Sequence, residues 1–379
     1  MKIACVSTSR IPSNLANSIQ MIKACQALAA LGHTVKIWVP GDKPVEWQEI
    51  KELYGLTTGF EIQNVPSCAL WRRYDFSMAA VREAKRWGAD CYYTWLLPSA
   101  VMALWQGIPT ILELHDMVTG RIGPQSYRMF CAHQGTPKRV LFITDALRQR
   151  LETWSGNRLA ENEGRITPNG MDAAQYQNLP DPSMARKQLG FEEKFTCVYT
   201  GHFYAGRGIN LLLELAKRCP QVNFYWVGGS AAGVSEWQAR LDQLEIKNIF
   251  LTGFIPNSRL PLYQAAAEVL LMPYEKAIAG SSGGNSVDIC SPMKMFDYMA
   301  AGRVIMASDL PVIHEVLNPQ NAVFCPPEDV DAWVAALNEI YQHSEKQATL
   351  AKQAKLDSLN YSWTERARKA LDGFNIPQG

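Results

Sequence analysis

Two rhythms alternate along this chain: short runs of consecutive apolar residues bounded by polar or glycine-bearing loops, and longer stretches whose apolar residues recur at helical spacing. Such alternation predicts buried strands joined by amphipathic helices. The first run covers residues 3–6, a polar loop with Pro12 fills 7–14, a helix with one apolar face covers 18–31 up to Gly32, and a second strand covers 35–39. Strand, loop, helix and strand within so short a span predict a βαβ unit, and hence a parallel sheet with right-handed crossovers. Further strands are expected at 89–95, 110–114 and 140–143, with a helix over 146–154 and a strand-to-turn segment over 165–172.

From about residue 172 to 194 the composition shifts to Gln, Pro and Asp, including Pro180-Asp181-Pro182, which reads as an interdomain linker. A second alternating series follows, with strands at 196–200, 223–227, 249–252, 269–272 and 304–307 and helices at 209–218, 235–244, 259–266 and 291–302. The predicted fold class is therefore α/β, with two doubly wound domains in tandem and the ligand in a central cleft that they face.

The chemistry concentrates at strand-to-helix turns, where open α/β sheets bind their ligands. In the stretch Ser291-Pro292-Met293-Lys294-Met295-Phe296-Asp297, Ser291 is the expected N-cap and Pro292 the first helical residue, while Gly302 supplies a left-handed stop. The first turn leaves N–H groups free at Met293, Lys294 and Met295. With the helix dipole and the Lys294 cation they form an anion seat. Asp297, one turn further on the same face, is placed to accept from hydroxyls beside that anion, as a ribose offers them. The competing reading is an exposed Lys294–Asp297 ion pair on a capped helix. A second anion seat is the loop Gly201-His202-Phe203-Tyr204-Ala205-Gly206-Arg207-Gly208, whose glycines let the backbone approach and whose Arg207 can fork onto phosphate oxygens. Two seats in one half suit a pyrophosphate.

In the first half, Arg10, Asn14 and Asn17 are the polar members of the first strand–helix loop, which lacks the G-x-G-x-x-G fingerprint of dinucleotide binding. Glu113-Leu114-His115-Asp116 places a histidine and two carboxylates at the end of a buried strand. No second histidine lies at ligand spacing, so no metal site is expected. Asp329-Val330-Asp331 has the form of a metal-binding D-x-D, but after Pro326-Pro327 it reads as the cap of the next helix.

The 379 residues are 47% hydrophobic and 19% charged with a formal net charge of +1, which fits two compact domains and advertises no nucleic acid or other polyanion. Nine scattered cysteines without a C-x-x-C pair indicate free thiols in a reducing compartment. With neither a signal peptide nor a spanning helix in the pattern, the expected place is the cytoplasm. Trp71-Arg72-Arg73 and the stretch to Arg86 and Trp87 cluster basic and Trp residues. That composition suits peripheral association with the inner face of an anionic membrane, against the alternative of a solvated helix with packing aromatics.

Laid out together, Thr167 to Asp172, Tyr199 to Tyr204 with Arg207-Gly208, Val227-Gly228-Gly229, Leu251 to Phe254 with Pro256, and Ser291 to Gly302 resemble the retaining glycosyltransferases of the GT-B fold, family 4. The resemblance implies two Rossmann-like domains, with an acceptor-binding domain over 1–180, a nucleotide-sugar-binding domain over 181–355 and a final helix over 356–379 crossing back, to which Tyr361 and Trp363 would belong. It implies that Gly201, His202, Arg207, Phe254, Ile255, Ser291, Pro292, Met293, Lys294 and Asp297 bind the donor and that Arg10, Asn14 and Asn17 lie on the acceptor side. His115, Arg207 and Lys294 would then carry catalysis. Asp297 matches the second carboxylate of the family's E-x7-E signature, Arg207 stands where a Lys contacts the diphosphate, His202 where an Arg is frequent, and Phe254 and Ile255 would face the base. The first signature carboxylate is replaced by Ile289, with Asp288 one residue off, so the donor sugar stays open. The implied partners are a nucleoside diphosphate sugar as co-substrate, without a cofactor, and a glycan, lipid-linked or small-molecule acceptor. A sugar-nucleotide epimerase or phosphorylase on the same fold, and a binding protein without turnover, are the alternatives.

Overall fold

The computed structural model describes residues 1–68, 74–160, 162–278 and 285–376. Contacts divide the chain into one unit of Met1–Asn169 with Trp363–Gly379 and a second of Gly170–Ser362.

In the first unit, strands β1 (Lys2–Val6), β2 (Thr34–Pro40), β3 (Glu61–Val65), β4 (Cys91–Thr94), β5 (Thr110–Leu114), β6 (Lys138–Phe142) and β7 (Gly164–Ile166) form one parallel sheet ordered β3-β2-β1-β4-β5-β6-β7. Helices α1 (Ala16–Ala30), α2 (Trp47–Tyr54), α3 (Tyr74–Trp87), α4 (Leu97–Trp105), α5 (Gly123–Ala132) and α6 (Asp145–Ser155) connect them. All residues of β4, β5 and β6 are buried, as expected for strands covered on both faces, which is why each reads as a mainly apolar run, interrupted in β5 by Glu113 and opened in β6 by Lys138 and Arg139.

The second unit opens with α7 (Ala173–Tyr176) and α8 (Pro182–Leu189). It continues through β8 (Thr196–Thr200), α9 (Ile209–Arg218), β9 (Asn223–Val227), α10 (Ala231–Gln243), β10 (Ile249–Gly253), α11 (Leu260–Ala265), β11 (Val269–Met272), α12 (Met293–Ala301), β12 (Val304–Ser308), β13 (Val323–Cys325), α13 (Val330–Gln342) and α14 (Ser344–Ser358). Its parallel sheet is ordered β10-β9-β8-β11-β12-β13. Trp226, Leu212, Leu271 and Trp333 fill its core. In each sheet the strand order reverses beside the first strand, at β1/β4 and at β8/β11, the switch point where such sheets open a ligand crevice.

Three expectations change. Residues 172–194 are no linker: α8 carries Arg186, buried and held by Glu268 (2.8 Å) and Glu193 (2.5 Å). Residues 170–180 belong to the second unit rather than the first, because the Met171 N–H donates to the Tyr361 carbonyl and the Tyr176 hydroxyl to Gln264. The return crossing comes at Trp363 rather than 356, so Tyr361 stays in the second unit against Phe296 (ring centroids 5.3 Å apart). Helix α15 (Trp363–Leu371) packs on α1 in the first unit.

Candidate active site

The loop leaving β8 is shaped by what its glycines must clear. A Cβ on Gly208, at φ +72°, would lie 1.7 Å from the Pro273 carbonyl oxygen, and one on Gly228 would lie 2.3 Å from that of Gly201. Both positions exclude any side chain. Glu275, just beyond β11, then grips the loop with both carboxylate oxygens: the Gly206 N–H donates to Oε2 (3.0 Å) and the Gly208 N–H to Oε1 (3.2 Å). These two amides are thus spent inside the protein and are not the backbone anion seat that the glycines suggested. Arg207, between them, is what the loop presents.

Arg207 and Lys294 are brought together around aromatic rings. The Lys294 ammonium lies 4.0 Å from the Tyr199 ring centroid and 5.6 Å from that of Tyr274, and the Arg207 guanidinium lies 5.2 Å from Tyr274 on the same ring system. Arg207 also donates to the Tyr204 hydroxyl (3.3 Å). Among the described residues neither cation has a carboxylate partner, so the Lys294–Asp297 ion pair of the competing reading is not formed. Burial and, second, the Arg207 charge hold the Lys294 pKa well below the ordinary lysine value. His202 stacks on Tyr204 (5.3 Å), and burial with the charges of Arg207 and Lys294 pushes its pKa down, favouring the neutral ring. Gly201 holds φ +144°, a conformation that side chains rarely adopt, and a Cβ there would lie 2.9 Å from Lys294 Nζ.

Helix α12 starts one residue later than expected. Pro292 is its N-cap and no side chain caps it, so Ser291 does not play that part. The Met295 N–H turns back to the Pro292 carbonyl (3.1 Å). The N–H groups of Met293 and Lys294 are left without a protein acceptor among the described residues. The Tyr298 hydroxyl accepts the Thr200 N–H (2.8 Å), fixing α12 to the end of β8, and Gly302 closes the helix in the left-handed conformation (φ 62°). Asp297 lies beside the buried Tyr176 phenol, whose pKa rises through burial and then the Asp297 charge. Phe254, 47% exposed, and Ile255 follow β10. Ile289 is 1% exposed and core, while Asp288 is at the surface; residues 279–284 of the loop before them lie outside the described residues.

In the first unit, the loop after β1 is pinned by Tyr54, whose hydroxyl accepts the Ser13 N–H and donates to the Ser13 carbonyl (both 2.8 Å). Arg10 and Asn14 are exposed on it, whereas Asn17, also exposed, stands in the first turn of α1 rather than in the loop. The Arg10 carbonyl accepts from Ser18 Oγ (2.9 Å) and Asn17 Oδ1 accepts the Ser18 N–H (2.9 Å). His115 bonds through Nε2 to Glu113 Oε1 (2.5 Å). Glu275 and Tyr274 went unrecognised in the sequence, as did the contact of Tyr199 with Lys294. Glu113 carried a signal, being a charge inside the buried run Ile111-Leu112-Glu113-Leu114, which has to be paired to be tolerated.

Two other stretches resolve simply. Asp329 caps α13 by accepting the Ala332 N–H (3.0 Å), and Asp331 pairs with Arg218. Residues 71–73 lie outside the described residues. Of the rest of that stretch, Arg86 pairs with Glu83 (2.7 Å) and Trp87 packs edge-on against Trp38 (5.7 Å). No helix among the described residues is long and apolar enough to cross a membrane.

Each unit matches its own family model: residues 19–175 that of Glycosyltransferase Family 4, and residues 194–343 that of glycosyl transferases group 1. The chain belongs to glycosyltransferase family 4. This family 4 chain is 23% identical over 394 aligned positions to the phosphatidyl-myo-inositol mannosyltransferase of Mycolicibacterium smegmatis, covering 100% of this chain and 94% of that one. It is 25% identical to the alpha-galactosylglucosyldiacylglycerol synthase of Streptococcus pneumoniae over 40% of this chain and 39% of the synthase. Two of the curated relatives are spanned over only 25% and 39% of their own length. The crystal structure of Anabaena HepE in complex with UDP superposes with a TM-score of 0.74 at 17% identity, over 98% of this chain and 99% of that one. That likeness establishes the GT-B fold for the family 4 chain.

Proposed function

We propose that this protein is a retaining, metal-independent hexosyltransferase that moves a sugar from a nucleoside diphosphate sugar to an acceptor hydroxyl. The observation that carries the reading is the pair Arg207 and Lys294, two cations that among the described residues have no carboxylate partner, at the β8/β11 switch point. Fixed cations and the open N–H groups of Met293 and Lys294 suit the charge that grows on a leaving diphosphate. In the step proposed, the bond from the anomeric carbon to the diphosphate oxygen breaks as the bond to the acceptor oxygen forms on the same face. The acceptor proton passes to the departing phosphate. Glu113 supports this route over a double displacement, because its carboxylate is buried and occupied by Gln20, His115, Arg366 and Tyr93. His115 is read as a group that acts on turnover, and Asp297 as the ribose acceptor. The relative from M. smegmatis, named for a phosphatidyl-myo-inositol, makes a lipid-linked acceptor at the inner face of the cytoplasmic membrane one acceptor class to test beside glycans and small molecules. UDP, bound by HepE, is the first nucleotide to try.

A second reading, binding without turnover, draws on Ile289, a core residue where the signature carboxylate would stand. Incubation with a panel of nucleotide sugars, with and without EDTA, followed by mass analysis of donor and products separates the readings. Slow donor hydrolysis or transfer that survives EDTA supports the transferase. An isomerised donor indicates an epimerase, and an unchanged donor that still binds indicates an inert module.

A further inference from the structure

We propose that Glu113 is a positioning residue that locks His115 in one tautomer with Nδ1 free to meet a sugar hydroxyl, and that Arg366 of α15 holds Glu113 for this task; the inference rests on the reading of His115 given above. Glu113 is 1% exposed and collects four donors, from α1, β4, α15 and the turn after β5. Its Oε1 accepts from Gln20 Nε2 of α1, His115 Nε2 and Arg366 Nη2, each at 2.5 Å. Its Oε2 accepts from the Tyr93 hydroxyl of β4. Arg366, 4% exposed, is itself fixed by Nε donating to the Pro168 carbonyl (3.0 Å) and Nη1 to the Tyr93 hydroxyl (3.3 Å). Burial alone would push the Glu113 pKa up, but the Arg366 charge and the bonds from His115 and Tyr93 outweigh it and hold the carboxyl below the usual range.

An ionised carboxylate can only accept, so His115 must offer it the Nε2 proton. The second ring nitrogen, Nδ1, has no partner among the described residues, and the side chain is 26% exposed. A histidine whose one nitrogen is tied to a buried carboxylate has its ring plane and tautomer set by that bond. The neutral ring then presents Nδ1 as a hydrogen-bond acceptor. Arg366 lies in the segment that returns to the first unit at Trp363, so the last stretch of the chain is what completes the histidine's setting.

Two measurements test this. Nitrogen-15 NMR of the histidine rings, with His115 assigned by difference from His115→Gln, should show the Nε2–H tautomer in the wild-type protein and a mixture in Glu113→Gln. An Nδ1–H tautomer in the wild type overturns the proposal even if the variant fails to fold. The second is a double-mutant cycle on turnover with the Kd for UDP measured alongside. His115→Ala and Glu113→Gln should each lower kcat by roughly ten- to a hundredfold with the Kd for UDP unchanged, the scale of a lost positioned polar group. Glu113→Gln should then cost no more than about twofold in the His115→Ala background, as expected when one residue acts through the other. Equal losses in both backgrounds mean a merely structural role and refute it. If His115→Ala leaves kcat unchanged, the assignment of His115 fails, while the tautomer still decides whether Glu113 orients the ring.

Discussion

Replacing Lys294 by methionine removes the charge while keeping most of the volume, and it should change affinity in a way that names the ligand. A phosphate oxygen about 4 Å from an ammonium gains about 4 kcal/mol at an effective dielectric of about 20. Desolvation of both partners leaves about 1.5–3 kcal/mol, the net range for a hydrogen bond to a charged group. Loss of Lys294 should therefore raise the Kd for UDP by roughly 10- to 150-fold and leave uridine nearly unaffected. The difference should shrink on going from low salt to about 1 M, where the screening length falls to about 3 Å. Calorimetric titration of both proteins with UDP and uridine reads it. Stability gives a second handle with a definite sign. Because burial and Arg207 depress the folded-state pKa of Lys294, the unfolded chain binds that proton more tightly. Wild-type stability should accordingly rise as pH climbs from the depressed value towards the ordinary lysine value of about 10.4, and the methionine variant should lack this gain. Urea unfolding between neutral and alkaline pH compares the two slopes. A Lys294→Met protein that binds UDP as tightly as wild type, or that loses UDP and uridine equally, refutes the diphosphate contact.

Asp297→Ala should weaken UDP binding by about 1.5–3 kcal/mol, as for a hydrogen bond to a charged group, and should matter little for a 2′,3′-dideoxy analogue; unchanged affinity in the folded variant removes the ribose from this helix. Glu275→Gln should cost about 1–3 kcal/mol of stability in urea unfolding, since one of the Gly206 and Gly208 N–H groups loses its acceptor, and should weaken UDP binding through the loosened Arg207 loop. Wild-type values for both would show that the clamp is dispensable. Gly208→Ala should lower thermal stability far more than Gly190→Ala: both glycines have left-handed backbones, at φ +72° and +70°, but only the former meets a carbonyl oxygen at 1.7 Å whereas the latter meets nothing within 4 Å. The control should lose about 1 kcal/mol, and equal losses would refute the steric account of the loop.

The chain's own pattern determined the two parallel sheets, because strands buried on both faces, such as β5, β6, β8 and β9, are built around short apolar runs such as Val140-Leu141-Phe142 and Phe224-Tyr225-Trp226-Val227. It also determined α12 and its glycine stop, and the capping role of Asp329, since these depend on neighbours within one turn. Elements without that signal were illegible. Edge strand β3 is only partly buried, and polar α14 buries just Leu350, Ala354 and Ser358, so neither shows a periodic apolar face. The site divides the same way. Arg207, Lys294 and Asp297 could be named as candidates from local spacing. That Glu275 consumes the loop amides, that Tyr199 and Tyr274 rather than a carboxylate face the two cations, and that Arg366 reaches Glu113 across 253 residues were decided only by tertiary structure. Charge compensation and ring contacts are settled by distance in space, and sequence separation carries no information about it.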